Sequence, residues 1–122
     1  MAKLVLVVDD EEDIRISVSE VVEGMGFKAK AVASGKEALI ALEKEKFDLV
    51  LLDMFMPELS GRQVLEKIRS NRKTRGQLVA FLTVAQLNEA GREKIRELGA
   101  AEYILKPVDV DGLQQSLKRL LK

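Results

Sequence analysis

Short apolar runs alternate along this chain with longer stretches whose apolar residues recur every three or four positions. The run at 49–52 is wholly apolar and is followed directly by Asp53. Such a run is typical of a strand that is buried on both faces, and the alternation is typical of strands joined by helical crossovers. Because strands connected in this way lie parallel, the pattern predicts an α/β fold.

The pattern contains five strands and five helices. The predicted strands cover residues 4–8, 28–33, 48–52, 78–82 and 102–105. Ser34 and Asp109 can cap the second and fifth helices, and the fourth helix should begin near Asn88. The inward side chains of the fifth helix are predicted to be Val110, Leu113, Leu117, Leu120 and Leu121. We therefore predict a doubly wound, five-stranded parallel sheet of the flavodoxin-like (βα)5 type, with strand order 2-1-3-4-5.

This strand order brings three carboxylates together. Asp9 and Asp10 follow the first strand, and Asp53 follows the third, which lies beside it. The crevice between these two strands is where open parallel sheets bind ligands. Two like charges about 4 Å apart repel by roughly 4 kcal/mol at an effective dielectric constant near 20, so a cation would stabilise the cluster. With oxygen ligands alone, the expected cation is Mg²⁺.

A purely structural role is the alternative for each of these acids. An aspartate after a strand often caps a helix or opens a turn, and acidic residues favour the first turn of a helix through its dipole. For Glu11, Glu12 and Asp13 we expect only this role. For Asp53 the structural role is outweighed by the other polar residues predicted at the same edge of the sheet.

Two of those polar residues end the fourth and fifth strands. Thr83 follows one and Lys106 follows the other. Taken singly, a strand-terminal threonine reflects β-propensity, and a strand-terminal lysine is usually solvated. Beside Mg²⁺ they complete a phosphoryl-transfer site, with Asp53 as nucleophile, Lys106 and the metal neutralising the phosphoryl oxygens, and Thr83 donating a hydrogen bond.

The composition of the chain excludes several other kinds of site. There is no cysteine for a disulfide and no histidine for a triad base or for most transition-metal sites. Twenty basic and twenty acidic residues give a formal net charge of zero, so composition favours neither a nucleic-acid nor a membrane surface. No apolar run is long enough to cross a bilayer, and residues 9–12 interrupt any signal-peptide core. We expect a cytoplasmic protein.

Motifs spread over the whole chain resemble one family. They are Val7-Val8-Asp9-Asp10, Asp53-Met54-Phe55-Met56-Pro57 with Gly61 beyond it, Leu82-Thr83, Gly99-Ala100 and Tyr103-Ile104-Leu105-Lys106-Pro107. Together they resemble the receiver domain of two-component response regulators, the family that includes the chemotaxis protein that signals to the flagellar motor. The resemblance implies a phosphoacceptor signalling domain, which is an enzyme only toward its own phosphorylation and dephosphorylation.

The resemblance implies a role for each residue of the acidic crevice. Asp53 would accept a phosphoryl group from the phosphohistidine of a histidine kinase or from a small phosphodonor. Asp10, Asp53 and the backbone carbonyl of Phe55 would hold Mg²⁺, and Asp9 would act mostly through a metal-bound water. The peptide bond between Lys106 and the following proline is expected to be cis.

The resemblance also implies a switch and a set of partners. Thr83 would turn toward the phosphoryl group, and Tyr103 would then move from an exposed to a buried position. Residues 1–122 are expected to form a single receiver domain with no output domain. The implied partners are a sensor histidine kinase or phosphotransfer protein and a downstream target or fused output domain, with no direct nucleic-acid or membrane contact. A phosphorylation-dependent homodimer would form through helix four, strand five and helix five.

Two features depart from the family pattern. The residue after the switch threonine is usually small, whereas Val84 stands there, and the chain from Thr83 to Lys106 is one residue longer than usual. Either the loop into the fourth helix carries an insertion, or Ala85 takes the place of the small residue across a local bulge.

Three other functions compete for the same residues. A haloacid-dehalogenase-like phosphatase would need a second aspartate two residues after the nucleophile, where Phe55 stands. A flavodoxin-like cofactor binder would need a hydroxyl- and glycine-rich loop after the first strand, where the acids at 9–12 would repel a phosphate. A degenerate receiver that only binds partners is the third alternative, although all five site positions are intact.

Overall fold

The computed structural model describes residues 2–122, and in them five strands alternate with five helices. The strands are β1 (Leu4–Val8), β2 (Lys28–Val32), β3 (Leu49–Asp53), β4 (Val79–Thr83) and β5 (Glu102–Leu105). The helices are α1 (Glu12–Gly24), α2 (Gly35–Lys44), α3 (Gly61–Ser70), α4 (Glu89–Glu97) and α5 (Val110–Leu120). None of the helices within this described part is long and apolar enough to cross a membrane.

The strands form one parallel sheet in the order β2-β1-β3-β4-β5. The predicted fold class and strand order are therefore confirmed. Strands β3 and β4 each begin and end one residue later than predicted, and at their ends Asp53 pairs with Leu82 and Thr83 pairs with Leu105. Strand β2 ends one residue earlier than predicted, at Val32, which pairs with Val8.

Both faces of the sheet are covered, which explains why its central strands are apolar without alternation. Successive side chains of a strand point to opposite faces. Val50 and Leu52 of β3 accordingly pack with α2, α3 and α4, while Leu49 and Leu51 pack with α1 and α5. The sheet is thus a rigid platform whose carboxyl-terminal edge carries the polar residues.

Ser34 and Asp109 cap helices as predicted, and Asn88 caps the fourth helix. The side chains of Ser34, Asn88 and Asp109 accept hydrogen bonds from the backbones of Glu37, Gly91 and Gly112, respectively. Helix α4 therefore begins at Glu89, close to the predicted position.

The predicted burial of Val110 is wrong. It is the first residue of α5 and is 53% exposed, outside the cluster that contains Leu113 and Leu117. Helical periodicity places Val110 on the inward side, but at the start of the helix it is Val108, two residues earlier, that packs against the cluster.

Candidate functional site

Three carboxylates meet at the ends of β1 and β3. Oxygens of Asp9, Asp10 and Asp53 lie within 4.8 Å of one another. Asp9 is fully buried and Asp53 is only 3% exposed, whereas Asp10 lies on the open side of the cluster. The structure therefore brings together the three acids that the strand order predicts to be neighbours.

Lys106 reaches into this cluster from the end of β5. Its Nζ lies 2.6 Å from Asp9 Oδ2, 3.3 Å from Asp53 Oδ1 and 3.6 Å from Glu11 Oε1. Burial alone would lower the pKa of Lys106, but the Asp9 and Asp53 carboxylates outweigh it and raise that pKa above its usual value. Lys106 is therefore a fixed cation between two buried acids. Its peptide bond to Pro107 is cis, as expected.

The surroundings of Asp53 disfavour its ionised form. Burial first, and then the charge of Asp9, raise the pKa of Asp53 to about 6, against the opposing effects of Lys106 and the Phe55 amide. That amide donates to Asp53 Oδ1 over 3.3 Å, so the chain folds back around the carboxylate. At neutral pH Asp53 is mainly ionised, but its charge is incompletely compensated.

The donor set at this edge suits a hard divalent cation. Asp9 Oδ1 accepts a hydrogen bond from the Glu11 amide at 2.9 Å. Asp9 Oδ2 is buried, and within residues 2–122 its one close polar contact is the Lys106 ammonium group at 2.6 Å. Buried carboxylate oxygens with spare acceptor capacity, next to the exposed carboxylate of Asp10, match the oxygen ligands that Mg²⁺ prefers.

Thr83 completes the edge from β4. It is fully buried, and its Oγ1 accepts a hydrogen bond from the Ala85 amide at 3.0 Å. The hydroxyl hydrogen is not used in that bond, so it can still be donated. The Lys106 amide donates to the Thr83 carbonyl at 2.8 Å, which ties the backbones of these two residues together.

The segment after Thr83 shows where the unusual residue Val84 lies. The ladder between β4 and β5 is regular from Ala80 to Thr83, so no residue is inserted within it. Val84 points outward and is 69% exposed, whereas Ala85 is half-buried. The bulky residue after the threonine is thus turned to solvent, and the small one faces the protein.

Tyr103 lies on β5 beside Phe81 of β4 and is half-buried. The guanidinium carbon of Arg92, on α4, lies 5.5 Å from the centre of the tyrosine ring. This is a cation–π distance, so α4 holds the ring in a partly exposed position.

Two residues of this region contribute to the site in a way that the sequence did not predict. Arg15 Nη1 donates to the Asp9 carbonyl at 2.8 Å and so fixes the turn after β1. Glu11 was assigned to the helix start alone, yet its carboxylate also contacts Lys106. The only signal for Arg15 is its position one helical turn after Glu11, which is a weak one because most such arginines are solvated.

An acidic crevice with a buried lysine, at the carboxyl ends of a doubly wound sheet, defines a class of α/β signalling domain. The family model described as the response regulator receiver domain matches residues 5–118. The chain belongs to this family and is a receiver domain of two-component signalling.

Known proteins similar to this chain agree with that family. Sporulation initiation phosphotransferase F of Bacillus subtilis is 32% identical over 122 residues, which cover 99% of this chain and 95% of that protein. The solved structure of the chemotaxis response regulator CheY4 of Vibrio cholerae is 27% identical, with a TM-score of 0.91 over 98% of this chain and 99% of the other. A receiver domain of a sensor histidine kinase from Pseudomonas aeruginosa, solved with magnesium in its active site cleft, is 26% identical, with a TM-score of 0.86 over 99% and 98% of the two chains.

Some relatives are much longer than this chain. It spans 24% of the length of a Vibrio cholerae relative that is 39% identical to it. It spans 55% of a Helicobacter pylori relative that is 32% identical. Receiver domains of this kind thus occur both alone and as parts of longer proteins.

Proposed function

We propose that Asp53 is the phosphoacceptor, and that it takes a phosphoryl group from the phosphohistidine of a histidine kinase or phosphotransfer protein, or from a small phosphodonor. The observation that carries this proposal is the position of Asp53, a buried carboxylate within 3.3 Å of a fixed ammonium group and beside two further acids. A raised pKa of a carboxyl group that lies in a crevice beside a specific charged partner is typical of functional sites.

The residues of the chain have distinct parts in the transfer. A carboxylate oxygen of Asp53 forms a bond to phosphorus as the bond from phosphorus to the donor nitrogen breaks, and the imidazole leaves with the electron pair. Lys106 offsets the negative charge of the phosphoryl oxygens from a position that it already occupies. Thr83 donates its hydroxyl hydrogen to one of those oxygens after the transfer.

Asp10, Asp53 and the carbonyl of Phe55 would hold Mg²⁺, with Asp9 acting mostly through a water molecule. When bound, the ion supplies positive charge to the phosphoryl oxygens and orients them. The unused acceptor capacity of Asp9 and the exposure of Asp10 support this assignment. The magnesium site of the Pseudomonas aeruginosa receiver supports it independently.

Phosphorylation would then change how α4, β5 and α5 bind a protein target, a fused output domain or a second copy of the chain. Leu105 and Val110 on this face are 40% and 53% exposed, which supports an apolar contact there. The longer relatives support an output domain as one of the partners.

Intact-mass measurement after incubation with acetyl phosphate and Mg²⁺ tests the phosphoacceptor directly. We expect one phosphoryl group on the parent protein, none on Asp53→Asn, and a higher Mg²⁺ requirement for Asp10→Asn. Asp111→Asn, an exposed acid on α5, is the matched control and should behave as the parent. Labelling of equal extent in EDTA would contradict the metal requirement, and labelling of Asp53→Asn would contradict the assigned acceptor.

A further inference from the structure

A cavity of about 210 Å³ lies between the segment that follows β3 and helix α4. We call it the α3–α4 groove, and it lies outside the acidic crevice. Met54, Phe55, Leu87 and Ile95 form its apolar lining, and Arg62 and Lys94 stand at its rim.

One residue of the apolar lining is unusually exposed to solvent. Met54 and Ile95 are buried, but the Phe55 side chain is 57% exposed. An exposed aromatic residue next to a concave apolar surface is a feature of protein contact sites. At this volume the groove is smaller than the sites that enclose a whole cofactor, and it suits a single large side chain from a partner.

The rim of the groove gives the sign of the partner's charge. Arg62 and Lys94 are both exposed, and within residues 2–122 neither makes an ion pair or a side-chain hydrogen bond. On α4 the nearest acid in sequence to Lys94 is Glu93, which pairs with Arg96 instead. Since the whole chain has no net charge, this positive rim is a local feature of the groove.

We propose that the α3–α4 groove is a docking site for a short acidic segment of another protein, which inserts one large aliphatic or aromatic side chain between flanking carboxylates. The apolar side chain would cover Phe55 and the carboxylates would pair with Arg62 and Lys94. Complementary charge of this kind contributes more to the choice of a partner and to its alignment than to the affinity of binding.

The groove is built from the two segments that lead away from the crevice. Phe55 follows Asp53 by two residues, and its amide donates to that carboxylate. Leu87 follows Thr83 by four residues, in the segment that joins β4 to α4. Docking in the groove and phosphorylation of Asp53 should therefore influence each other reciprocally. This coupling rests on the proposed function, whereas the docking itself does not.

Selection from a random 12-residue peptide library displayed on phage tests the docking site with the unphosphorylated protein. We expect enriched peptides with one large apolar residue between aspartates or glutamates. Backbone amide chemical shifts of the ¹⁵N-labelled protein should change mainly at the groove when the enriched peptide is added. No enrichment, enrichment of basic peptides, or shifts centred elsewhere would overturn the proposal.

Charge reversal at the rim gives a second, quantitative test. The double variant Arg62→Glu/Lys94→Glu should weaken binding of the enriched peptide by about ten-fold, because two attractions become repulsions. The control Lys28→Glu/Arg72→Glu reverses two exposed cations that also have no ion pair in the described chain, and it should bind as the parent. Equal losses in both double variants would show only a long-range charge effect and would overturn the docking site.

Filling the groove gives a third test that does not depend on charge. A Cβ atom on Gly91 would meet Leu87 and Asn88 no closer than 3.4 Å, so a side chain can be added there without a clash at its base. Gly91→Leu should abolish peptide binding and Gly91→Ala should retain most of it, and both residues favour a helix. Retained binding in folded Gly91→Leu would overturn the proposal.

Acetyl phosphate labelling separates the two proposals. The rim variants should be labelled at Asp53 like the parent, since neither Arg62 nor Lys94 belongs to the acidic crevice. If labelling of the parent fails while the peptide still binds the groove, the proposed function falls and the docking site stands. If labelling succeeds and no peptide binds, the docking site falls alone.

Discussion

At the scale of single residues, the site is a balance of charges that do not fully cancel. Lys106 faces both Asp9 and Asp53, so one ammonium group serves two buried carboxylates. Burial first, and then the charge of Asp9, raise the pKa of Asp53. The uncompensated negative charge therefore favours the binding of a cation in the crevice. When no cation is bound, the same charge lowers the stability of the fold.

The first prediction is that Asp53→Asn stabilises the metal-free protein above pH 6. The pKa of Asp53 is about 6 in the folded chain, against an ordinary 3.8, so the folded state binds this proton more tightly than the unfolded chain. Stability from this group is therefore lost as the pH rises from about 3.8 to about 6. At pH 8 in EDTA, the free energy of unfolding from urea titration should rise by roughly 1–2 kcal/mol in the variant, less than the full shift implies because solvent reaches the crevice.

The difference should shrink toward zero near pH 4, where Asp53 is protonated in the parent. Glu66→Gln, at an exposed position in the middle of α3, should change little at either pH. A gain of the same size at both pH values would mean that the effect does not come from ionisation of Asp53.

The second prediction concerns how long the phosphoryl group remains on Asp53. Phe55 and Val84 are bulky, apolar and exposed at the two segments that leave the crevice. We expect them to restrict the in-line approach of water, so that self-hydrolysis is slow. Phe55→Asn should shorten the half-life of the phosphorylated protein several-fold, as followed by intact mass after removal of acetyl phosphate. Ile40→Asn, an exposed apolar residue on α2, is the control, and equal half-lives of all three proteins would rule out water access as the limit.

At the scale of elements, the sequence predicts the strands, their order and the meeting of Asp9, Asp10 and Asp53, because these follow from apolar runs and from the rules of parallel crossovers. It does not predict the ion pair between Asp9 and Lys106. That contact depends on how two loops about a hundred residues apart approach one another, and no local pattern encodes the approach. The same limit applies to Val110, which helical periodicity places on the inward side but which lies outside the cluster that Leu113 joins.

The third prediction belongs to the segment between β4 and α4. A phosphoryl group adds about 1.5–2 negative charges, and the Thr83 hydroxyl, which accepts from the Ala85 amide, would be drawn toward it to donate its free hydrogen. That movement would carry the start of α4, and with it Arg92, away from Tyr103 and allow the ring to move inward. Adding Mg²⁺ with beryllofluoride should therefore reduce the access of a soluble quencher to the tyrosine.

Tyr103 is the only tyrosine and there is no tryptophan, so its fluorescence reports this one side chain. The quencher response should be small in Thr83→Ala and restored in Thr83→Ser, which keeps the hydroxyl. Equal responses in all three proteins would show that the hydroxyl does not transmit the change.

At the scale of the whole molecule, the carboxyl-terminal and amino-terminal edges of the sheet have different roles. The carboxyl-terminal edge holds the acidic crevice, whereas the amino-terminal edge is held together by Arg69. This arginine, near the end of α3, donates to the carbonyls of Arg75, Gln77 and Gly99 over 2.9, 2.8 and 2.7 Å. One side chain thus joins a helix to the segments that lead into β4 and β5.

The last prediction is that a substitution at Arg69 lowers the stability of the fold and leaves the phosphorylation of Asp53 unchanged. Arg69→Lys cannot reproduce three hydrogen bonds from a planar guanidinium, so it should lower the free energy of unfolding by about 1–3 kcal/mol. Arg72→Lys, three residues further on in the turn that follows α3 and without a hydrogen bond from its side chain within residues 2–122, should lower it by less than about 0.5 kcal/mol. At a temperature where all three proteins are folded, the rate and extent of labelling by acetyl phosphate should be the same, because Asp9, Asp53 and Lys106 are anchored at the opposite edge. A labelling rate that falls in Arg69→Lys but not in Arg72→Lys would show instead that the two edges of the sheet are energetically coupled.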